Sequence, residues 1–518
     1  MSRLRRAVTG TALALGGVVA YDLAQRPHAI LRNFPIVGHF RYLLETFGPE
    51  LRQYIVTSNN EERPFSRDQR SWVYQSSKLV TNTVGFGSDN EMENGLGYLI
   101  IKPDAIAYPA PQTGQPGSAP EYALPSGKVL GEAHGRRHAF RPASVVNISG
   151  MSYGALSARA TEALNRGAAI APCLHNTGEG GLSEHQLHGG DLIFQIGTGY
   201  FGCRSPAGGF DLEALLQTIE RGPVRALEVK LSQGCKPGIG GLVPAAKVTP
   251  EIARIRGVEA GRDCHSPPRH SAFVSIDELI EFCELLGEAT GLPVGIKSAV
   301  GEQEWWEQLS TRMQASGGGP DFVTVDGGEG GSGAAPLSFA DHVALPFKLA
   351  FARVYEAFAH HGLNERLTFI GSGKLGLPDT ALFAFALGAD MVNVGREAML
   401  AIGCIQSQRC HTDRCPTGVA TQNAWLVRGL DPEIKSARAA NYVRLLRREL
   451  LALAHTCGEP HPALVTPDQL ELMEEAFRSR TVEAALGYLP AWRRIAPERR
   501  AEIERMVAGE SPGKTVIT

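Results

Sequence analysis

From Ser144 the chain alternates short apolar runs with helical stretches, and no other feature limits its fold as strongly. Candidate strands are Ser144–Ile148, Leu192–Ile196, Ala226–Leu231, Val294–Lys297, Phe322–Val325, Leu367–Ile370 and Met391–Val394. They lead through polar or Gly-rich turns toward helices such as Leu156–Ala171, Leu212–Arg221, Ile276–Thr290, Phe347–His361 and Pro378–Leu387. A parallel neighbour is reached only by a crossover, so repeated β–α units of this length imply a parallel sheet. About eight units over roughly 260 residues fit an α/β fold of the (β/α)8 TIM-barrel type. A doubly wound open sheet is the alternative, but no G-x-G-x-x-G opens the first helix.

Four segments are expected. Residues 1–26 are an apolar N-terminal segment and 27–144 an extension that wraps a larger body, helical over Phe47–Thr57 and loop-like over the Pro/Gly/Ala-rich Pro109–Pro125. Residues 145–430 form the barrel. Residues 431–518 form a helical segment over Lys435–Cys457, Pro467–Phe477 and Pro497–Met506. Within the extension, HGRRH at His134–His138 reads as a solvated surface, and Lys348 and Lys435 read as plain surface lysines.

The stretch Cys404–Thr421 holds three cysteines, Cys404, Cys410 and Cys415, with Pro416 directly after the last. Soft thiolates converging from one loop are what an iron–sulfur cluster needs. Three ligands suit a 3Fe-4S cluster, or a 4Fe-4S cluster completed by a non-cysteine group. Zinc with His411 as fourth ligand is a rival, although the spacing is not that of a zinc finger. Three unrelated buried thiols are the remaining reading. The other six cysteines are scattered, so no disulfide framework is expected and a reducing, cytoplasmic setting follows. The formal net charge of −3, with no basic run beyond Arg3–Arg6, excludes nucleic acid as a partner.

Ala7–Tyr21 carries no charge. It can be read as a signal peptide's apolar region, a short membrane anchor, or a helix lying on a bilayer, giving a membrane contact through residues 7–21.

Barrel chemistry sits at the C-terminal ends of strands. There Asn176–Gly181 (NTGEGG) sets the carboxylate of Glu179 among glycines. Gln195, Lys230 and Lys297 close strands, and Lys236 is the cation of a Gly/Pro loop, suited to an anion. Asp326–Gly333 (DGGEGGSG) is a second Gly-rich cradle. The last two strands end in Gly371-Ser372-Gly373-Lys374 and Gly395-Arg396, where late barrel strands hold phosphate on backbone N–H groups.

These motifs occur in a fixed order: MSYGALS at Met151–Ser157, NTGEGG, SQGCKPGIGG at 232, Ser266-Pro267-Pro268 leading to SIDEL at 275, DGGEGGSGAAP at 326, and CPTGVATQ at 415. Together they resemble the FMN-binding synthase domain of the glutamate synthase large subunit, over roughly residues 145–430. The preface resembles stand-alone members of that family. The resemblance implies a barrel holding FMN beside a 3Fe-4S cluster on Cys404, Cys410 and Cys415. It places Ser152, Gln195, Lys230 and the loops Gly371–Lys374 and Gly395–Arg396 around the flavin, with Asn176 and Lys297 counted among those surroundings. It places Glu179 and Lys236 in a 2-oxoglutarate pocket as catalytic residues. The implied reaction is reduction of an imine formed from a 2-oxo acid and ammonia, an oxidoreductase activity of the CH-NH2 type. A membrane-associated electron-transfer flavoprotein acting through a protein partner is the alternative, and a flavin-free barrel with structural zinc is a third reading. Met1 is followed by Ser2, so no N-terminal cysteine nucleophile is read, and ammonia is expected from another subunit. Electrons are expected from a separate donor such as ferredoxin or a reductase subunit. Where the family loop carries Glu and Gln, this chain has Ile239 and Leu242, which suggests an acceptor less polar than 2-oxoglutarate.

Overall fold

The computed structural model describes residues 3–54, 60–93, 95–112, 114–119, 121–475, 478–492 and 495–510. Eight strands close a barrel: β1 (Val146–Ile148), β2 (His175–Asn176), β3 (Leu192–Ile196), β4 (Val224–Lys230), β5 (Val294–Ser298), β6 (Phe322–Asp326), β7 (Thr368–Ser372) and β8 (Met391–Val394). Each pairs in parallel with its sequence neighbours, and β8 closes on β1 through Val392 opposite Val146. The expected TIM barrel is present.

The helices around it form for local reasons. In Ile276–Thr290, Ser275 caps the N-terminus by accepting from the Glu278 N–H, and Asp277 and Glu278 complement the dipole in the first turn. Leu279, Ile280, Phe282, Cys283 and Leu286 recur at helical spacing and are buried, and Gly291 ends the helix at φ 73°. Burial of each such large apolar side chain is worth about 1.5–3 kcal/mol against exposure.

Two elements escape the sequence pattern. The strand β2 has two residues, too few for any periodicity, and the Gln303–Ser316 helix carries a weak apolar face. One helix expectation is corrected. Pro467–Phe477 is not helical over its described part: Pro467–Gln469 makes one 3-10 turn, and Leu470–Met473 then pairs antiparallel with Leu99–Ile101. Strand partners from the extension and from Ser479–Thr481 override local propensity there. Phe477 lies outside the described residues. The helix expected over Phe47–Thr57 begins earlier, at Val37, and runs to Tyr54; residues 55–57 lie outside the described residues.

The extension is held to the barrel by buried polar groups. Arg136 donates to Asp321 at 2.9 Å and to both Glu284 oxygens at 2.8 and 2.9 Å. His134 bonds the other Asp321 oxygen at 2.8 Å, so HGRRH is a buried tie at His134 and Arg136 rather than a solvated surface. Lys128 donates to Asn364 O and Leu367 O, each at 2.7 Å, and to Asp390 at 3.0 Å. Truncating Lys128 leaves a buried carboxylate without its counter-charge. Lys128→Ala is therefore expected to cost about 3–5 kcal/mol, read as a lowered urea midpoint with the slope unchanged.

Lys435 is also buried, not a surface residue: the Pro432–Thr456 helix turns it inward, toward Pro27 O at 3.1 Å. Burial, reinforced by Arg438 and Lys78, pushes its pKa down to about 7. Lys348 is half-buried, with its ammonium 4.7 Å from the Phe383 ring centroid.

Residues Arg3–Ala24 form one helix, anchored at its end by the fully buried Asp22, which accepts from Ile36 N at 2.9 Å and bonds His39 at 2.8 Å. Among the described residues no helix is long and apolar enough to cross a membrane.

Candidate active site

Side chains at the ends of β4 and the loops beside it meet in a cleft enclosing about 280 Å3, lined by Glu179, Thr198, Lys230, Gln233, Lys236 and Gly240 among others. Lys230 donates to Glu179 at 2.8 Å and to Gln233 at 2.7 Å. Lys236, only 6% exposed, spends one donor on Ala334 O at 3.2 Å. Burial alone would raise the Glu179 carboxyl, but Lys230, Lys236 and Arg256 outweigh it and hold the acid below the usual range. Burial lowers the Lys236 ammonium, with Glu179 opposing. Glycines let the loops close on Glu179: a Cβ on Gly241 would stand 2.7 Å from its Oε1, and one on Gly197 would stand 2.6 Å from its Cβ. Lys230, expected beside a flavin, thus sits with the two residues expected around the substrate. Ile239 and Leu242 are each 37% exposed, and neither is among the residues lining the cleft.

Deeper in the barrel, Asn176 and Gln195 share one acceptor that the sequence reading did not single out. Glu228, fully buried, accepts at Oε1 from Asn176 Nδ2 at 2.7 Å and Gln195 Nε2 at 2.6 Å, and at Oε2 from Thr324 at 2.7 Å. The available signal was position: Glu228 lies two residues before Lys230 on β4, so both side chains share a face. Gly150, after β1, passes close to this pair, since a Cβ there would stand 2.8 Å from Asn176 Oδ1 and 3.0 Å from Gln195 Nε2. Gly150→Ala must push both amides off the carboxylate. It is expected to weaken binding of the group they face by about tenfold or more, roughly the worth of one hydrogen bond, checked by titrating the apoprotein.

Lys297 reaches Asp326 at 3.7 Å, and Asp326 also accepts from Gly234 N at 2.9 Å. Burial opposes ionisation of Asp326, yet Lys297 and the Gly234 N–H prevail and keep it low. The arms of the two Gly-rich loops cross here, with Gly327 N donating to Ser372 O at 2.9 Å. Gly373 has φ 121°, a conformation side chains rarely adopt. Gly371 is a packing position instead, because a Cβ would stand 2.7 Å from Leu375 and 2.9 Å from Phe347.

Lys374 and Arg396 come together as expected of a phosphate pair. Their charged ends lie 5.3 and 5.1 Å from the ring centroid of Phe65, a buried residue of the extension. Burial, then Arg396 and Arg63, lower Lys374. Arg396 donates to Glu329 O. Among the described residues neither cation makes an ion pair, although Glu397 and Glu329 lie near enough to oppose the lowering of Lys374. Gly395 is open, with only Ser149 and Met151 near a notional Cβ. Ser152 stands off, accepting weakly from Arg256 at 3.4 Å.

The three cysteines lie on the loop after the short helix Arg396–Ala401 that follows β8. Burial pushes the Cys404 thiol up to about 12, and Cys415 and Cys410 add to the rise. Burial and Cys415 raise Cys410 against the pull of Lys247. Lys247 pins the loop by donating to Cys410 O and Ala420 O at 3.3 Å and to Ala155 O at 2.6 Å. Tyr74 of the extension donates to Cys404 O at 2.8 Å. His411 is exposed. Among the described residues, no three His, Cys, Asp or Glu side chains meet as a group able to hold a metal ion. The thiols are the right donors for a cluster, but they do not converge as a ligand set.

The sequence model of the conserved region in glutamate synthase matches residues 128–459, a span that contains the barrel, both Gly-rich loops and the three cysteines. The chain belongs to the glutamate synthase family. It is 40% identical over 469 residues to the glutamate synthase large subunit-like protein YerD of Bacillus subtilis (strain 168), covering 85% of this chain and 89% of that one. It is 30% identical over 379 residues to a glutamate synthase large subunit-like protein of Rhizobium meliloti, covering 69% and 82%. To an archaeal glutamate synthase (NADPH) of Methanocaldococcus jannaschii it is 36% identical over 316 residues, 60% of this chain and 59% of the other. Among solved structures, an active chimera of (S)-mandelate dehydrogenase overlays with a TM-score of 0.45 at 14% identity, over 78% of this chain and 98% of that one, too loosely to bear on chemistry. Membership in the glutamate synthase family makes this chain an oxidoreductase.

Proposed function

We propose that this glutamate synthase-like enzyme binds FMN in the barrel mouth and reduces an imine formed from a 2-oxo acid and ammonia, with 2-oxoglutarate or a less polar analogue as the acid. The single observation that carries the reading is the Glu179–Lys230–Lys236 cleft, where two cations and one carboxylate stand in a largely desolvated space. The residues fit a flavin mononucleotide in their chemistry. Among the described residues Lys374 and Arg396 make no ion pair, and they suit its phosphate; Asn176 and Gln195 offer oriented amides. Bound there, FMN would supply hydride chemistry.

What the chain itself contributes can be derived from the cleft. Lys236 has donors to spare and would neutralise a carboxylate of the substrate, fixing its orientation. An imine accepts hydride readily only when its nitrogen is protonated. The Lys230–Glu179 pair can hold a proton at Lys230 Nζ and stabilise an iminium with the Glu179 carboxylate. The loops that close on Glu179 keep water from the reacting carbon. Cys404, Cys410 and Cys415 are proposed as iron–sulfur ligands on donor identity alone, and a separate electron donor and an ammonia-supplying subunit belong to the same reading.

Cofactor content of anaerobically purified protein tests it. Stoichiometric FMN released by heat, together with iron and acid-labile sulfide, supports the reading. Zinc without flavin would replace it with a structural-metal barrel.

A further inference from the structure

A second cleft, with about 560 Å3 of empty space that is partly open to solvent, lies between the N-terminal helices and the Cys404 loop and shares no lining residue with the first. Its walls come from the helices Val37–Tyr54, Arg67–Lys78 and Pro432–Thr456, and its floor reaches Gly403 and Cys404. Three cations line it, Arg41, Lys78 and Arg438, one from each helix, together with the buried amine of Lys435, against one carboxylate, Glu45. That carboxylate is already taken by Arg41, which donates to it at 3.1 Å. Among the described residues Lys435 finds only a backbone carbonyl, Pro27 O. Among the described residues Arg438 and Lys78 make no hydrogen bond or ion pair, and Lys78 lies 6.0 Å from the Tyr74 ring centroid. Converging cations without counter-charge repel one another, so such a cluster is costly unless an anion joins it.

The number and spread of the cations point to phosphate. A carboxylate offers two oxygens in one plane and satisfies one fork, whereas a phosphate presents several acceptors to groups arriving from three helices. The outer face of the Val37–Tyr54 helix adds a second observation. Phe40, Leu43, Leu44 and Phe47 recur at i, i+3, i+4 and i+7, and their exposures are 62, 50, 49 and 56%. Arg41, Tyr42 and Glu45 of the same helix line the cleft, so an apolar stripe runs beside a cationic pocket.

We propose that this cleft holds a phosphate-bearing anion, and that the head group of an anionic phospholipid is the source its apolar flank fits. A free phosphate compound offers the same chemistry without the apolar contact. The cleft shares Cys404 with the proposed cluster loop, but its test reads lipid and phosphate binding rather than turnover, so its failure is distinct from that of the redox reading.

The test uses the full chain with its cofactors. Vesicles of phosphatidylglycerol, with phosphatidylcholine as the control, are floated with wild type and with Lys78→Glu/Arg438→Glu. In parallel, inorganic phosphate is tested for protection of Lys78 against acetylation in the wild type, a readout that needs no variant. Binding to phosphatidylglycerol alone, reduced at least tenfold by the charge reversals in a variant that keeps its thermal midpoint, establishes the lipid head group. No vesicle binding, but phosphate slowing Lys78 acetylation at least threefold, establishes a free phosphate compound. Vesicle binding indifferent to the reversals, without phosphate protection, would show the stripe acting alone and overturn the cleft, as would the absence of both effects.

Discussion

Lys236→Ala is expected to retain flavin and fold while losing roughly 10- to 100-fold or more in kcat/KM, the worth of a charged hydrogen bond of about 1.5–3 kcal/mol in a desolvated site. The reason is the environment. Lys236 is 6% exposed and its one protein acceptor is Ala334 O, so its charge is held for something else. Removing it costs the protein little, because Ala334 O is the one hydrogen-bond partner it leaves among the described residues and Lys230 still pairs with Glu179. Lys236→Arg keeps the charge but changes its reach, and should recover part of the loss. The pH profile gives an independent check. Burial lowers the Lys236 pKa from the ordinary 10.5, so its charge disappears sooner as pH rises. The alkaline limb of kcat/KM should therefore fall below the ordinary lysine range in wild type, and this limb should vanish in Lys236→Ala. Unchanged steady-state kinetics in the alanine variant would remove Lys236 from the substrate site.

The second large effect is expected at Glu228. Glu228→Leu leaves the buried donors of Asn176, Gln195 and Thr324 without their acceptor. At about 1–3 kcal/mol for each orphaned group, the sum over the three is roughly 3–9 kcal/mol. In a chain of this size, where each kcal/mol is worth about 1 °C, that lowers the thermal midpoint by roughly 3–8 °C, and the loss of oriented amides should release the flavin. Glu228→Gln is milder. Its carbonyl can still accept from Asn176 and Gln195, and its amide can donate to a Thr324 hydroxyl turned around. Scanning calorimetry with the FMN content of each variant separates these outcomes. If the leucine variant melted with wild type, the three hydrogen bonds would carry no net stability.

The barrel was legible because its strands are buried on both faces and read as continuous apolar runs, as in Leu192–Ile196 and Met391–Val394, where expected and observed bounds coincide. His175–Asn176 was not, since a two-residue strand owes its existence to Leu192 and Ile148 on either side. The same limit governs the site. Glu179 and Lys236 stand out as lone charges among glycines, a local signal. Glu228 sits inside an apolar strand and takes its meaning from Asn176, Gln195 and Thr324, which come from three other strands. Phe65 is likewise invisible locally: its position between Lys374 and Arg396 depends on how the extension folds back over the barrel. Lys435 and His134 were misread for the same reason, each buried by a segment distant in the chain.

If the cleft reduces an imine of a 2-oxo acid, the reduced enzyme should be reoxidised by that acid together with ammonium. Protein purified without oxygen is reduced with one equivalent of dithionite, and the visible spectrum is followed after adding 2-oxoglutarate, ammonium, or both. The account predicts that the oxidised flavin bands return when both are present and not with either alone, with glutamate formed in proportion. Flavin that stays reduced with both substrates and with less polar 2-oxo acids plus ammonium, yet is reoxidised by oxygen, would contradict it.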